Sequence, residues 1–422
     1  MKRFYCIFLL ILPFPLFAYI DPMSGSTILY VVAGFLAAIF YGLRGFFYRL
    51  MNLWQGRGFS SRDSIEGCDI VFYSEGKQYW QVFQPVIEAL EKREIRSAYL
   101  TSGKDDPGLE YESSWLSSQY LGGMAQSWAF LNNLRAPVLI MTTPQLDIMT
   151  LKRSHGVRHY GHLLHSPTDI HSYRKYAFDY FDSVFCCGPY QISSIRQMEE
   201  VRQSAPKLLL ETGLTYYDSM IKTLEGNDQF SHEKPVLLVA PTWQPFCIIN
   251  RFGPALFRTL LENRSYQVIF RPHPQSFVSF PDVIKEIEEL FRSDELFEID
   301  KQASGALSLQ RADVMITDVS GVALDFAFLQ KKPIVFFEVP FDGKGMEASN
   351  LDSQSWDLTI RDQLGALLQE NELDKLNDVL KQMITDPPVE DLQKLRDANF
   401  YNWGKAGEIA AEQILEIVEQ LK

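Results

Sequence analysis

The sequence is poor in cysteine, in histidine and in positive charge. Its 422 residues include five cysteines and seven histidines, and 40 Lys and Arg residues face 53 Asp and Glu residues, for a formal net charge of -13. The odd number of cysteines fits no zinc-binding spacing, so we expect reduced structural thiols. The acidic balance argues against a general nucleic-acid-binding protein, which needs a basic surface.

Length and hydrophobic content indicate a folded protein with more than one domain. Hydrophobic residues make up 46% of the chain, which favours packed cores over a disordered chain. A chain of 422 residues exceeds the usual size of one hydrophobic core. We therefore expect two domains and an additional anchor segment.

The beginning of the chain has the pattern of a secretory signal. Lys2 and Arg3 precede an apolar run that ends at the small residue Ala18, as in signal peptides. We predict that residues 1–18 form a signal peptide or a first membrane helix. Cleavage and retention as part of a helical hairpin are both compatible with this pattern.

A second apolar stretch predicts a transmembrane helix over residues 27–48, because its length is about what a bilayer requires. Asp21 precedes the stretch, whereas Arg44 and Arg49 lie at its end. The positive-inside rule then places the rest of the chain in the cytoplasm. Residues 49–67 are interpreted as a juxtamembrane linker.

Beyond the linker, short apolar segments alternate with helical patterns, which predicts parallel sheets covered by helices on both faces. We divide this part into an N-terminal lobe, residues 68–213, and a C-terminal lobe, residues 214–422. The strands predicted in the first lobe are Asp69–Tyr73, Ser97–Leu100, Pro137–Thr142, Val157–His162, Ser183–Cys187 and Lys207–Glu211. Those predicted in the second are Pro235–Ala240, Tyr266–Phe270, Leu296–Ile299, Val314–Thr317 and Pro333–Glu338. Two such lobes imply a cleft, with ligands at the carboxyl ends of the strands.

One candidate site follows the predicted strand that ends at Phe270. Pro272 and Pro274 stop the strand and stiffen the turn, so Arg271 and His273 are presented at the carboxyl edge of the sheet. A guanidinium group and an imidazole at this position suit a diphosphate.

A second candidate site follows the strand that ends at Thr317. Ser320 is predicted to cap the next helix. The free amides at Gly321 and the residue after it, together with the helix dipole, form an anion site that a phosphate can approach closely. Asp325 lies one turn further on and is expected to accept hydrogen bonds from a ribose or a polyol.

Three further stretches at strand ends contain candidate residues. Thr242 can donate a hydrogen bond to a phosphate, and Trp243 beside it is either a stacking surface or part of the core. His165 is expected to face the cleft as a general base near neutral pH. Gly213 is interpreted as the hinge between the lobes. The histidine-rich stretch around His165 has no metal-ligand spacing such as H-E-x-x-H, so we predict no metal site.

These stretches together resemble the CDP-glycerol glycerophosphotransferase family, which includes the teichoic-acid primases and polymerases of bacterial envelopes. The resemblance runs from about Asp69 to Glu338 and is most specific in residues 240–243, 271–274 and 317–325. It implies an α/β fold of the GT-B type, with two Rossmann-like lobes and a cleft between them. It also implies that His165, at the place of the family's H-G-x-P motif, is the base and that His273 is a second catalytic residue. The donor-binding residues that it implies are Thr242, Arg271, His273, Thr317, Asp318, Ser320, Gly321 and Asp325.

The reaction that the resemblance implies is transfer of glycerol phosphate, or a related polyol phosphate, from a CDP-activated donor. The acceptor would be an envelope polymer or a lipid-linked molecule at the bacterial inner membrane, with no cofactor, no metal and no nucleic acid involved. Two alternatives stay open. One is a sugar-nucleotide glycosyltransferase or epimerase on the same scaffold, and the other is a membrane-tethered scaffold protein with a decayed nucleotide site.

Overall fold

The computed structural model describes residues 34–35, 65–224, 232–302, 305–340 and 345–422. The chain divides into two compact units, Met1–Ser60 and Ser61–Lys422. In the first unit Gly34 and Phe35 are helical. The predicted segment 1–18, the rest of the predicted helix 27–48 and most of the linker 49–67 lie outside the described residues. Within the described ranges, no helix has the length and apolarity needed to cross a membrane.

The first lobe is built on a sheet of seven parallel strands. The strands are β1 (Ile70–Ser74), β2 (Ser97–Thr101), β3 (Leu116–Tyr120), β4 (Arg135–Met141), β5 (Gly156–Leu163), β6 (Ser183–Cys186) and β7 (Leu208–Glu211). Their order is β3-β2-β1-β4-β5-β6-β7. The helices that accompany them are α1 (Trp80–Glu91), α2 (Met124–Leu131), α3 (Pro189–Arg202) and α4 (Thr215–Leu224).

The extent to which each strand of this sheet is buried explains whether it could be predicted from the sequence. Every residue of β1, β2 and β6 is buried, because helices cover both faces of a parallel sheet, and these strands therefore appear as apolar runs. The edge strand β3 has the sequence LSSQY and is only partly buried. It has no apolar run, and the sequence analysis missed it.

The second lobe is built on a sheet of six strands. They are β8 (Val236–Val239), β9 (Gln267–Phe270), β10 (Phe297–Ile299), β11 (Val314–Thr317), β12 (Ile334–Phe337) and β13 (Gly365–Leu368). Their order is β10-β9-β8-β11-β12-β13, and all neighbours are parallel. The sequence analysis missed β13, which also lies at an edge.

Eleven helical segments accompany the second sheet or follow it within the described residues. They are α5 (Ile248–Phe252), α6 (Pro254–Leu261), α7 (Ser276–Ser279), α8 (Pro281–Phe291), α9 (Ala306–Arg311), α10 (Val322–Gln330), α11 (Trp356–Thr359), α12 (Arg361–Leu364), α13 (Leu376–Thr385), α14 (Val389–Asn399) and α15 (Ala406–Gln420). Two apolar clusters, one on each face of the sheet, form the core of this lobe.

The end of the chain returns to the first lobe. Ile414 of α15 is buried in the same cluster as Phe83 of α1. The hydroxyl of Thr215, at the start of α4, donates to the carbonyl of Val82 at 2.6 Å. Part of the chain beyond residue 213 therefore completes the core of the first lobe.

Buried contacts join the two lobes below the cleft. Arg202 on α3 pairs with Asp179 and, at 2.9 Å, with Glu347 of the second lobe. Tyr190 stacks on Trp356 with 3.8 Å between the ring centroids. These contacts fix the segment between β12 and α12 against the first lobe.

Candidate functional site

His165 lies two residues beyond the end of β5, near the middle of the first sheet. Its ring meets the edges of Tyr79 and Tyr173, with centroids 5.0 and 5.9 Å away. Burial lowers the pKa of His165 to about 4. The imidazole is therefore neutral at pH 7, but the expectation of a base that titrates near neutral pH is wrong, because the buried ring is a weaker base than an exposed histidine. Its Nδ1 is buried and has no hydrogen-bond partner among the described residues.

A cavity of about 660 Å³ opens at the carboxyl edge of the first sheet, with His165 in its wall. The other lining residues are Glu75, Tyr79, Met124, Trp128, Thr143, Pro144, Gln145, Met149, Thr150, Leu151, Ser166, Thr168, Ser172, Tyr173 and Arg174. We call this space the first-lobe cavity. Its volume and its combination of polar and apolar lining residues suit a substrate larger than a simple alcohol.

Glu75 is a residue of this cavity that the sequence analysis missed. It follows β1 directly, and burial raises the pKa of its carboxyl group. The signal was available, because a carboxylate at the end of a buried parallel strand lies where α/β sheets bind ligands. Glu75 and His165 thus give the wall of one cavity two titratable groups.

Thr317 and Asp318, at the end of β11, make hydrogen bonds to the protein backbone in this structure. The hydroxyl of Thr317 donates to the carbonyl of Ala240 at 2.6 Å. The two carboxylate oxygens of Asp318 accept from the backbone amides of Thr242 and Ile248, at 2.8 and 3.0 Å. Burial raises the pKa of Asp318 against the opposing effect of these amides. The pair therefore braces the loop after β8, including the predicted ligand Thr242.

The predicted cap at the start of α10 is wrong. Gly321 occupies the capping position, and no side chain donates or accepts there. Ser320 precedes the cap by one residue and uses its backbone carbonyl to accept from Ala323 at 3.1 Å. The amide of Leu324 likewise donates to the carbonyl of Gly321 at 3.1 Å. Because both of these amides have acceptors, what the helix start offers an anion is the positive end of the helix dipole.

A second cavity, of about 130 Å³, lies at the start of α10 between the lobes. Its lining residues are Thr168, His171, Ser172, Asp318, Val319, Ser320, Gly321, Ala323, Leu324, Phe336, Ser355, Asp357, Leu358 and Arg361. We call this space the helix-start cavity. The volume holds several water molecules or one phosphate group.

The two cavities are neighbours. Thr168 and Ser172 line both of them. A methyl group on Gly321 would lie 3.5 Å from Cγ2 of Thr168. The structure thus brings the predicted base of the first lobe, His165, next to the predicted anion site of the second.

Arg271 and His273 do not line either of these cavities. Nη1 of Arg271 is bound to Asp300 at 2.6 Å. His273 is exposed, its Nδ1 accepts from the amide of Gln275 at 3.1 Å, and its ring lies 6.3 Å from that of Trp243. The physical reason is the strand order, because β8 separates β9 from β11. Their roles in donor binding stay predictions.

Asp325 lies on a different side of α10 from the helix-start cavity. Its Oδ2 accepts from the hydroxyl of Tyr216 at 3.0 Å, and its Oδ1 is buried without a partner among the described residues. Burial raises the pKa of Asp325 to about 7. Binding of a ribose or polyol by Asp325 stays a prediction.

Arg361, on α12, is a second residue that the sequence analysis missed. It lines the helix-start cavity, and only 5% of it is exposed. No pattern in the sequence points to Arg361, because it follows the last predicted strand and belongs to no strand-end motif. Within the described ranges, no group of three or more His, Cys, Asp or Glu side chains is placed to hold a metal ion.

Comparison with known proteins bears on the fold and the family. TagF, the wall teichoic acid polymerase, solved after a soak with CDPG, superposes with a TM-score of 0.50 at 17% identity, covering 90% of this chain and 98% of TagF. MnaA of S. aureus, solved with UDP, gives 0.55 at 15% identity, covering 83% and 97%. The UDP-GlcNAc 2-epimerase of Neisseria meningitidis gives 0.51 at 14% identity, covering 82% and 99%. These likenesses confirm the predicted GT-B-type α/β fold.

Sequence comparison is more specific. The minor teichoic acid biosynthesis protein GgaB of Bacillus subtilis (strain 168) is 24% identical over an alignment of 155 residues. The alignment covers 31% of this chain. The chain spans about 15% of the length of GgaB. The profile of the CDP-Glycerol:Poly(glycerophosphate) glycerophosphotransferase family matches residues 62–343, almost the range over which the motifs suggested it. The chain belongs to the CDP-glycerol:poly(glycerophosphate) glycerophosphotransferase family.

Proposed function

We propose that the protein transfers glycerol phosphate, or a related polyol phosphate, from a CDP-activated donor to a hydroxyl group of an acceptor. The acceptor is an envelope polymer or a lipid-linked molecule. Family membership over residues 62–343 supports the reaction class. The observation that carries the proposal is the pair of neighbouring cavities, with His165 on one side and the start of α10 on the other.

The geometry suits a direct displacement. The acceptor hydroxyl enters the first-lobe cavity and gives its proton to His165, whose neutral imidazole lies in the cavity wall. The oxygen attacks the β-phosphorus of the donor, and CMP leaves with the bonding electrons. The start of α10 stabilises the negative charge on the phosphate. The mechanism requires no metal ion if protein groups balance that charge.

The cellular setting is part of the proposal. A hydrophobic segment at residues 27–48 has Arg44 and Arg49 at its end. It would hold the catalytic lobes at the cytoplasmic face of the bacterial inner membrane. That position suits an acceptor carried by a lipid. Fractionation of cells that express the full chain, with and without residues 1–48, tests this part separately.

The test of the reaction uses the full chain in membranes with CDP-glycerol. We expect CMP to be released and labelled glycerol phosphate to appear in the envelope fraction. Replacing His165 by Asn should reduce the rate by about 10²- to 10⁴-fold, the usual contribution of a general base. The matched control is His155→Asn, because His155 is exposed and lines neither cavity.

The outcomes separate the alternatives. Release of UDP from a UDP-sugar, with no turnover of CDP-glycerol or CDP-ribitol, would favour a sugar-nucleotide enzyme. No turnover of any nucleotide donor by the wild-type protein, with unchanged envelope polymer in cells carrying His165→Asn, would favour a scaffold protein. Equal rates for His165→Asn and His155→Asn would refute the role given to His165.

A further inference from the structure

We propose that Arg361 is the cationic side chain that binds a phosphate group of the donor in the helix-start cavity. This inference rests on the proposed transfer reaction for the identity of the ligand. It goes beyond it, because Arg361 lies outside the family match at residues 62–343 and belongs to none of the motifs of the sequence.

The guanidinium group of Arg361 lacks an adequate partner. Its Nε donates to the carbonyl of Leu358 at 3.3 Å, and its Nη2 lies 4.0 Å from a carboxylate oxygen of Glu338. Its Nη1 is buried and has no hydrogen-bond partner among the described residues. A buried charged donor without an acceptor is costly, so the arrangement calls for an anion.

The carboxylates around the helix-start cavity do not meet this need. Asp318 uses both oxygens to accept backbone amides at 2.8 and 3.0 Å. Asp357 accepts from the amide of Asp169 at 2.9 Å and from the hydroxyl of Ser355. Both bonds to Asp357 reach the same oxygen, Oδ1. Each of these carboxylates thus has partners of its own, whereas Nη1 of Arg361 is a buried donor without one among the described residues.

Two further features make the cavity favourable for negative charge. The positive end of the α10 dipole lies at Gly321, which lines the cavity. Burial alone would lower the pKa of His171, but its contact with Asp169, at 3.3 Å, more than offsets this, and the pKa is raised. His171 also lines the cavity, so its wall contains a second side chain that is cationic when protonated.

This assignment also resolves a difficulty of the sequence analysis. Arg271 was expected to neutralise the diphosphate, yet its Nη1 is engaged by Asp300 at 2.6 Å. It lies outside the helix-start cavity, whereas Arg361 lines it. Asp357 ties the Arg361 region to the first lobe by accepting from the amide of Asp169 at 2.9 Å, so the guanidinium is held where the two lobes meet.

The experiment measures binding to the full chain by isothermal calorimetry, with CDP-glycerol, CMP and inorganic phosphate as the probes. For Arg361→Met we expect the affinity for CDP-glycerol to fall by about 10- to 100-fold, as for loss of a charge-assisted hydrogen bond. Arg361→Lys should recover part of it. The matched control is Arg258→Met, since Arg258 is an exposed residue on α6 and should bind like the wild type.

A second variant tests the position of the site without touching Arg361. Gly321 has an ordinary φ of -61°, and a methyl group there meets only Thr168 at 3.5 Å. Gly321→Ala should therefore fold normally, which the thermal unfolding midpoint checks, while its methyl group narrows the cavity and weakens binding of CDP-glycerol. It also keeps the inference testable if Arg361→Met fails to fold.

The results separate this inference from the proposed function. If the wild type binds and turns over CDP-glycerol while Arg361→Met, folded, binds it as tightly, the role of Arg361 is refuted and the transfer reaction stands. Unchanged affinity in Gly321→Ala would likewise refute the site. If inorganic phosphate binds through Arg361 but CDP-glycerol is not turned over, the anion site stands and the proposed function falls.

Discussion

The buried carboxyl group of Asp325 predicts a specific dependence of stability on pH. The pKa of this group is raised to about 7 by burial, whereas an exposed aspartate has a pKa of about 3.9. As the pH rises above 4, the unfolded chain gives up this proton before the folded chain does. The group's contribution to stability is thus present below about pH 4 and is lost as the pH approaches 7.

The magnitude follows from the two pKa values. Each unit of difference corresponds to about 1.4 kcal/mol, so the loss between pH 4 and pH 7 is up to ~4 kcal/mol, and up to ~2.7 kcal/mol of it falls above pH 5. Solvent reduces these figures, because Asp325 is only partly buried as a residue although its Oδ1 is buried.

The assay is urea unfolding of the full chain at pH 5 and pH 8. Asp325→Asn keeps an acceptor for the hydroxyl of Tyr216 and carries no charge, so relative to the wild type it should gain about 2 kcal/mol between these two pH values. The control is Asp318→Asn, which should destabilise the protein, because an amide nitrogen cannot accept from the backbone amides of Thr242 and Ile248. Equal pH dependence of the wild type and Asp325→Asn would refute the reasoning.

Three further predictions concern the lobes and the thiols. Arg202→Met leaves the buried carboxylate of Glu347 unpaired and should cost about 3–5 kcal/mol in thermal unfolding; a change below 1 kcal/mol would contradict a buried ion pair. Gly213 has a φ of +94°, and a methyl group there would lie 2.4 Å from a backbone oxygen, so Gly213→Ala should lower the unfolding midpoint by the equivalent of roughly 1–3 kcal/mol. Cys187 is buried, and burial raises the pKa of its thiol to about 12, so alkylation of the native protein followed by mass spectrometry should label the partly exposed Cys68 before Cys187, and faster labelling of Cys187 would refute its burial.

The central strands could be predicted because strands buried on both faces consist mostly of apolar residues. Segments such as those of β1, β8 and β11 are continuous apolar runs, and each is fully buried between helices. The edge strands β3 and β13 have weaker patterns, since one side of an edge strand faces solvent or loops. The return of α15 to the first lobe was beyond the sequence, because its amphipathic pattern does not say which surface it covers.

The position of His165 could be predicted better from the sequence than the residues around the predicted anion site. A polar residue two positions after a buried strand must lie at the carboxyl edge of the sheet, and His165 does lie there, in the wall of a cavity. The same reasoning applies to Glu75, which was overlooked although it directly follows β1. The partners of these side chains depend on residues distant in the chain, such as Tyr173, so the lowered pKa of His165 could not be anticipated.

Strand order decides which strand-end residues can share a ligand. Arg271 and Gly321 both follow buried strands of the second sheet, so the sequence placed them at the same edge. With β8 between β9 and β11, the edge positions of β9 and β11 are two strand spacings apart, about 10 Å, and Arg271 has Asp300 as its own partner. On the other side of β11 lies β12, followed by the segment that carries Arg361. Arg361, which lines the cavity at the start of α10, therefore comes from the neighbour that the order of the sheet provides, and a sequence cannot reveal that order.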